Sequence, residues 1–175
     1  MTDYKEKFEK MRVAGNLAAR TLDMLTENIK EGISTDYIDK LGYEFIRDNG
    51  GYSAPLYYRG FKKSLCTSLN HVVCHGIPSE DRILEEGDAV NVDVTAIVNE
   101  HYGDTSRMFC IGKTPVKANN LIDSTYESMM KAIKILKPGL KAEINIGDEN
   151  QKSGIGKDKV QSLVSCCVKL NLNLV

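Results

Sequence analysis

The stretch NVDVTAIVNEHYGDTSRMF, residues 91 to 109, sets Asp93 and Asp104 in two strand-like runs joined by a short polar turn. If the turn is centred between Val98 and Asn99, the two carboxylates are directly opposed, with Cβ atoms about 5 Å apart. Moving the centre by a whole residue leaves them diagonal on one face. Moving it by half a residue puts them on opposite faces unless a bulge intervenes. Two carboxylates on one face repel, and a shared proton, an adjacent Arg or Lys, or a divalent cation between them relieves the repulsion. Oxygen-rich pairs suit a metal. The alternative is that Asp104 caps its own turn and Asp93 is exposed on an edge strand.

HVVCHGIP, residues 71 to 78, supplies a second candidate. His75 is expected near the end of a strand, beside Gly76 and Pro78, where a side chain can meet a ligand. Cys74 and His75 are not read as nucleophile and base, because successive strand residues point to opposite faces. His71 and His101 fall in expected turns. In SAPLYYRGFKKSLC, residues 53 to 66, Tyr58, Phe61 and Cys66 can line an apolar pocket or simply belong to the core.

Helices and strands must position these groups. Phe8, Met11, Ala14, Leu17, Ala18, Leu22, Leu25 and Ile29 recur every three or four residues, which predicts a helix from about 3 to 31 with Gly32 beyond its end. Ser34 or Thr35 can N-cap a second helix carrying Ile38, Leu41 and Phe45, stopped by DNGG at 48 to 51. SLCTSLN, HVVCHGI and AVNVDVTAIV then read as antiparallel strands. A third helix, about 119 to 136 with Leu121, Ile122, Met129, Ile133 and Leu136 inward, stops at Pro138. IKEGI at 29 to 33 and LKPGL at 136 to 140 hint at two copies of one helix-then-strand unit, but no second strand set follows Lys141.

Composition excludes several partners. With 23 Lys and Arg against 24 Asp and Glu in 175 residues, there is no broad basic surface for nucleic acid or anionic lipid. No stretch is long and apolar enough to span a membrane and the amino terminus has no leader pattern, so the chain is expected in the cytoplasm. The five cysteines, Cys66, Cys74, Cys110, Cys166 and Cys167, lack a CxxC pair and are expected to be reduced and mostly structural.

LYYRGFKKSLCTSLNHVVCHGIP, GDAVNVDVT and HYGDTSRMF together resemble, in order and spacing, the type I methionine aminopeptidases. The resemblance runs over about residues 3 to 141. It implies an α/β (α+β) fold, the N-terminal half of a pita-bread fold with helices packed on an antiparallel sheet. It also implies two divalent metal ions, cobalt, manganese, iron or zinc, with Asp93 chelating one and Asp104 bridging both. His75 would hydrogen-bond the bound peptide, while Tyr58, Phe61 and Cys66 border the methionine pocket beside Pro55. The implied substrate is the N-terminal methionine of nascent proteins, and the implied reaction is attack by a metal-bridging hydroxide.

The sequence departs from that pattern at its carboxyl end. The family completes its site with two histidines and two glutamates from its second half, yet no histidine follows His101. Ser153 of SGIG stands where a ligand histidine would be, and Glu143 and Glu149 lie in no matching context. No residue is therefore assigned as the general base. Residues 1 to 141 are expected to form the N-terminal half of the catalytic domain and 142 to 175 a divergent tail, in a truncated or frame-disrupted chain. Weak metal binding, poor turnover and self-association of this otherwise monomeric family follow, and the alternative is a non-catalytic fragment or peptide-binding module.

Overall fold

A computed structural model describes residues 4 to 135. The chain divides into two compact units, one ending at Pro115 and one beginning at Val116. In the first, helix α1 spans Tyr4–Thr26 and α2 spans Thr35–Asp48. Strands β1 (Tyr52–Ser53), β2 (Cys66–Leu69), β3 (Ala89–Val98) and β4 (His101–Cys110) follow. In the second, α3 spans Val116–Ile135 directly after Pro115. It starts three residues before the expected 119, and the expected stop at Pro138 lies outside the described residues.

All pairings are antiparallel, and β3 is their common member. On one edge it pairs with β1 at Ala96 and Ile97 and with β2 from Val90 to Asp93. On the other it pairs with β4 along its whole length. The two helices lie on one face, α1 across β3 and β4, α2 beside β1, β2 and α1. Strand alternation sends Val90, Val92, Val94 and Ala96 into that layer, against Leu17, Leu22, Leu25, Ile38 and Ile46. Burying each such aliphatic contributes about 1.5–3 kcal/mol. This is the expected α/β arrangement of helices on an antiparallel sheet.

Helix α2 starts as the sequence predicts, with the Ser34 hydroxyl accepting from the Tyr37 amide at 3.1 Å. Helix α1 ends at Thr26, five residues before the expected 31. The side chains of Thr26 and Asn28 bond the Leu22 and Met24 carbonyls, and the chain then turns so that Gly32 donates to Leu84 and Leu84 to Ile33. Gly32 serves that cross-chain turn, at φ +85°, and does not cap α1. HVVCHGI is also not a strand. Its end runs irregularly beside β2, the Thr67 amide donating to the Gly76 carbonyl at 2.8 Å. Gly76 is needed there, because a Cβ would lie 2.1 Å from the Thr67 carbonyl oxygen.

Candidate metal centre

The hairpin turn falls at Asn99 and Glu100, both left-handed at φ +48° and +66°, as a tight two-residue β-hairpin requires. That centres the hairpin one residue later than direct opposition of the acids would need. Asp104 faces Thr95 and Asp93 faces Ser106, so the carboxylates are diagonal neighbours on the sheet face opposite the helices. Asp104 accepts a hydrogen bond from the Thr95 hydroxyl at 2.9 Å. It sits inside β4 and caps no turn. Asp93 is on the central strand, partly buried, and its Oδ1 is buried without a hydrogen-bond partner.

The electrostatics follow from this placement. Burial, then the Asp104 charge and a hydrogen bond with Asp104, pushes the Asp93 carboxyl up to about 7. Asp104 is also raised, burial outweighing its hydrogen bonds with Thr95 and Asp93. Among the described residues neither carboxylate has a Lys or Arg ion-pair partner. Of the three ways to relieve the pair, the basic neighbour is thus missing, which leaves a shared proton or a cation. An orphaned buried carboxylate oxygen beside a second carboxylate fits a divalent cation, although only as part of a coordination shell. Among the described residues no group of three or more His, Cys, Asp and Glu side chains is placed to hold a metal.

Cys66 stands directly across the β2–β3 register from Asp93 and is buried. Burial, and next the Asp93 charge, pushes its thiol up to about 12, so it faces the acids as a neutral, apolar group. Cys74 and Cys110 are exposed, unlike the packed thiols expected, while Cys166 and Cys167 lie outside the described residues.

The other candidates sit around the same edge. The Ala54 amide donates to the Thr95 carbonyl at 2.9 Å, and Cys66 re-enters the sheet opposite Asp93. The loop from Pro55 to Leu65 therefore leaves and rejoins β3 at the acids' own level. It carries Tyr58, 64% exposed, and Phe61, half-buried. His75 is exposed on the irregular segment beside β2, with φ +54°, so strand alternation does not govern it and gives no ground for separating it from Cys74. His71 lies in a turn as expected, whereas His101 opens β4 and is half-buried. A groove of about 560 Å³ along α1, lined by Arg12, Val13, Asn16, Arg20 and Asn49 among others, contains none of these residues.

The family model of the metallopeptidase family M24 matches residues 9 to 145. The chain belongs to this family. It is 50% identical over 137 residues to a methionine aminopeptidase of Rickettsia prowazekii, a match covering 78% of this chain and 52% of that protein. It is 44% identical over 153 residues to one of Salmonella typhimurium, covering 87% and 58%. The crystal structure of the Rickettsia prowazekii methionine aminopeptidase superposes with TM-score 0.77 at 49% identity, over 79% of this chain and 56% of that one. The chain thus spans about half the length of the curated relatives it matches, and it has the pita-bread fold of its structural neighbours over that part. Two residues that spacing did not single out join the site: Thr95, which holds Asp104, and Ser106, opposite Asp93. The hydroxyl two residues after Asp93 was the available signal, once the turn was set at Asn99 and Glu100.

Proposed function

We propose that this chain carries the first carboxylate ligands and one wall of the substrate site of a methionine aminopeptidase. Its substrate class would be the N-terminal methionine of new polypeptides, and its working place the cytoplasm. The single observation that supports this most is the diagonal pair of Asp93 and Asp104, with a buried, unpartnered oxygen and, among the described residues, no Lys or Arg ion-pair partner. Membership of a metallopeptidase family and about 50% identity to methionine aminopeptidases point the same way.

In this reading Asp93 and Asp104 hold divalent cations, whose chemistry when bound is to polarise the scissile carbonyl and to acidify a water. Thr95 fixes the plane of the Asp104 carboxylate. His75 donates to the bound peptide, while Tyr58, Phe61 and the neutral Cys66 surround its leading side chain and exclude water. Residues 1 to 141 form the aminopeptidase part and 142 to 175 a divergent tail. Two carboxylates are an incomplete ligand set, so the 175 residues by themselves bind metal weakly and turn over poorly. That incompleteness also supports the second reading, a non-catalytic fragment or peptide-binding module of the same fold.

The test is calorimetric titration of the 175-residue chain with Mn²⁺ and Co²⁺, beside an assay of methionine release from Met-Ala-Ser. Saturable binding that Asp93→Asn and Asp104→Asn each abolish is expected, with little turnover. Binding unchanged in both variants would overturn the metal assignment, and turnover abolished by Asp104→Asn would overturn the reading as a poor catalyst.

A further inference from the structure

No Asp or Glu occurs between Asp48 and Glu80, a stretch of 31 residues that includes Arg59, Lys62 and Lys63. This run contains the whole Pro55 to Leu65 loop and His75, the elements that flank the acid pair on the β1–β2 edge. Lys63 is engaged by Asp36 of α2. Arg59 and Lys62 are exposed and have no ion-pair partner among the described residues.

The loop that presents them is stiff. The Tyr57 amide donates to the Phe61 carbonyl at 2.7 Å and the Phe61 amide to Tyr58 at 3.0 Å, closing it on itself. Its return leg is fixed on α2, where the Asp39 carboxylate accepts from the Ser64 amide and hydroxyl and the Leu65 amide at 2.7–3.0 Å. Tyr57 and Arg59 are held left-handed at φ +68° and +48°, a conformation that costs a non-glycine residue about 1 kcal/mol or more. The Arg59 guanidinium lies 5.5 Å from the Tyr58 ring centre. A short cavity of about 250 Å³, lined in part by Lys40, Tyr43, Leu56 and Tyr57, runs between the loop and α2. A closed, strained loop that turns an unpaired cation and two largely exposed tyrosines to solvent holds them ready for a partner.

We propose that Arg59, with Lys62, is a specificity determinant that favours peptides with acidic side chains a few residues after the leading one. The proposal rests on the functional reading above, because the loop leaves the sheet at Thr95 and returns at Asp93, so a peptide whose first residue lies at the acids runs out past it. Its aromatic surface carries the peptide's apolar parts, and its cations meet carboxylates in the extended chain. Lysine-bearing peptides meet like charge and bind less well.

The experiment measures fluorescence anisotropy of dye-labelled Met-Ala-Glu-Glu, Met-Ala-Gln-Gln and Met-Ala-Lys-Lys peptides, carrying the dye at their carboxyl ends, with the whole 175-residue chain in Mn²⁺ at low salt. The acidic peptide is expected to bind about two- to fivefold more tightly than the neutral one per acidic residue engaged, the range for exposed pairs. Arg59→Gln should remove most of that preference and Arg59→Glu should turn it toward the lysine peptide, with unchanged melting temperature and unchanged affinity for the neutral peptide. Binding of all three peptides with equal affinity, or a preference that survives Arg59→Glu, overturns this proposal alone. Failure of all three to bind overturns the functional reading and the proposal together.

Discussion

Thr95, and not Asp93, is the residue directly opposite Asp104, and its hydroxyl donates to Asp104 Oδ1 at 2.9 Å. The bond fixes the carboxylate plane. Groups that orient metal ligands in this way are worth about 10–100-fold in metal affinity. Thr95→Val keeps the β-branched shape and removes the donor, so Mn²⁺ affinity of the chain should fall by about that range while the melting temperature barely moves. Calorimetric titration and a thermal melt on the same sample check both halves.

The metal-free pair makes stability depend on pH with a definite sign. The folded Asp93 carboxyl, at about 7, lies above its ordinary 3.8, so the folded chain holds its proton more tightly than the unfolded one. The Asp93 contribution to stability is therefore greatest below pH 4, falls as pH rises from about 4 to about 7, and is level above that. The penalty at neutral pH is on the order of a few kcal/mol, since each unit corresponds to about 1.4 kcal/mol. In chelator-treated protein, urea midpoints should drop across this window. Asp93→Asn should flatten the drop and raise the midpoint at pH 7.5. A wild-type midpoint that does not fall relative to that of Asp93→Asn across this window would contradict the geometry.

Two glycines that meet where β4 lies against α1 give opposite results. Gly103 of β4 lies against α1, and a Cβ there would come 2.1 Å from the Gly15 amide nitrogen and 2.2 Å from the Ala14 carbonyl carbon. Those are backbone atoms, so helix and strand must separate; Gly103→Ala should cost about 2–4 kcal/mol, in the range of severe overpacking. Gly15 has nothing within 4 Å of its own Cβ position. Gly15→Ala in α1 should stabilise by up to about 1 kcal/mol through helix propensity. Denaturant midpoints of the two variants should move in opposite directions.

What the sequence made legible was the local pattern. The buried face of α1 and α2 follows a 3.6-residue period, and Ser34 caps α2 with its own side chain, so both could be read from neighbouring residues. The strand AVNVDVTAIV alternates over its full length for the same reason. Where a distant segment decides, the pattern misled. Gly32 marks a turn against Leu84 instead of the end of α1, and HVVCHGI has the apolar content of a strand but is held irregular by Gly76 pressing on the Thr67 backbone. The acid pair was legible in type and spacing, while its register depended on whether Asn99 and Glu100 would both accept left-handed backbone, which Asn favours and Glu does not announce. The loop beside the acids could not be placed at all from spacing, because its closeness to Asp93 comes from two separate strand pairings.

Asp39 joins that loop to the rest of the fold. Its carboxylate, buried at 9% exposure, accepts from the Ser64 amide at 2.8 Å, the Ser64 hydroxyl at 2.7 Å and the Leu65 amide at 3.0 Å. Hydrogen bonds to a charged group are worth about 1.5–3 kcal/mol each, but the carboxylate is also desolvated, so the net is smaller than their sum. Asp39→Ala strands the Ser64 and Leu65 amides in a buried place, leaving the Ser64 hydroxyl only the Asp39 carbonyl at 3.1 Å, and should destabilise by about 2–4 kcal/mol. The damage should also be directional. Cys66 follows the stranded amides by one residue, and its neutral, buried thiol is slow to react only while β2 stays seated opposite Asp93. At a temperature where the Asp39→Ala chain is still folded, alkylation of Cys66 followed by mass spectrometry should therefore speed up at least tenfold over the wild type, while exposed Cys74 reacts at an unchanged rate. Equal protection of Cys66 in both chains would mean that Asp39 does not hold this strand in place.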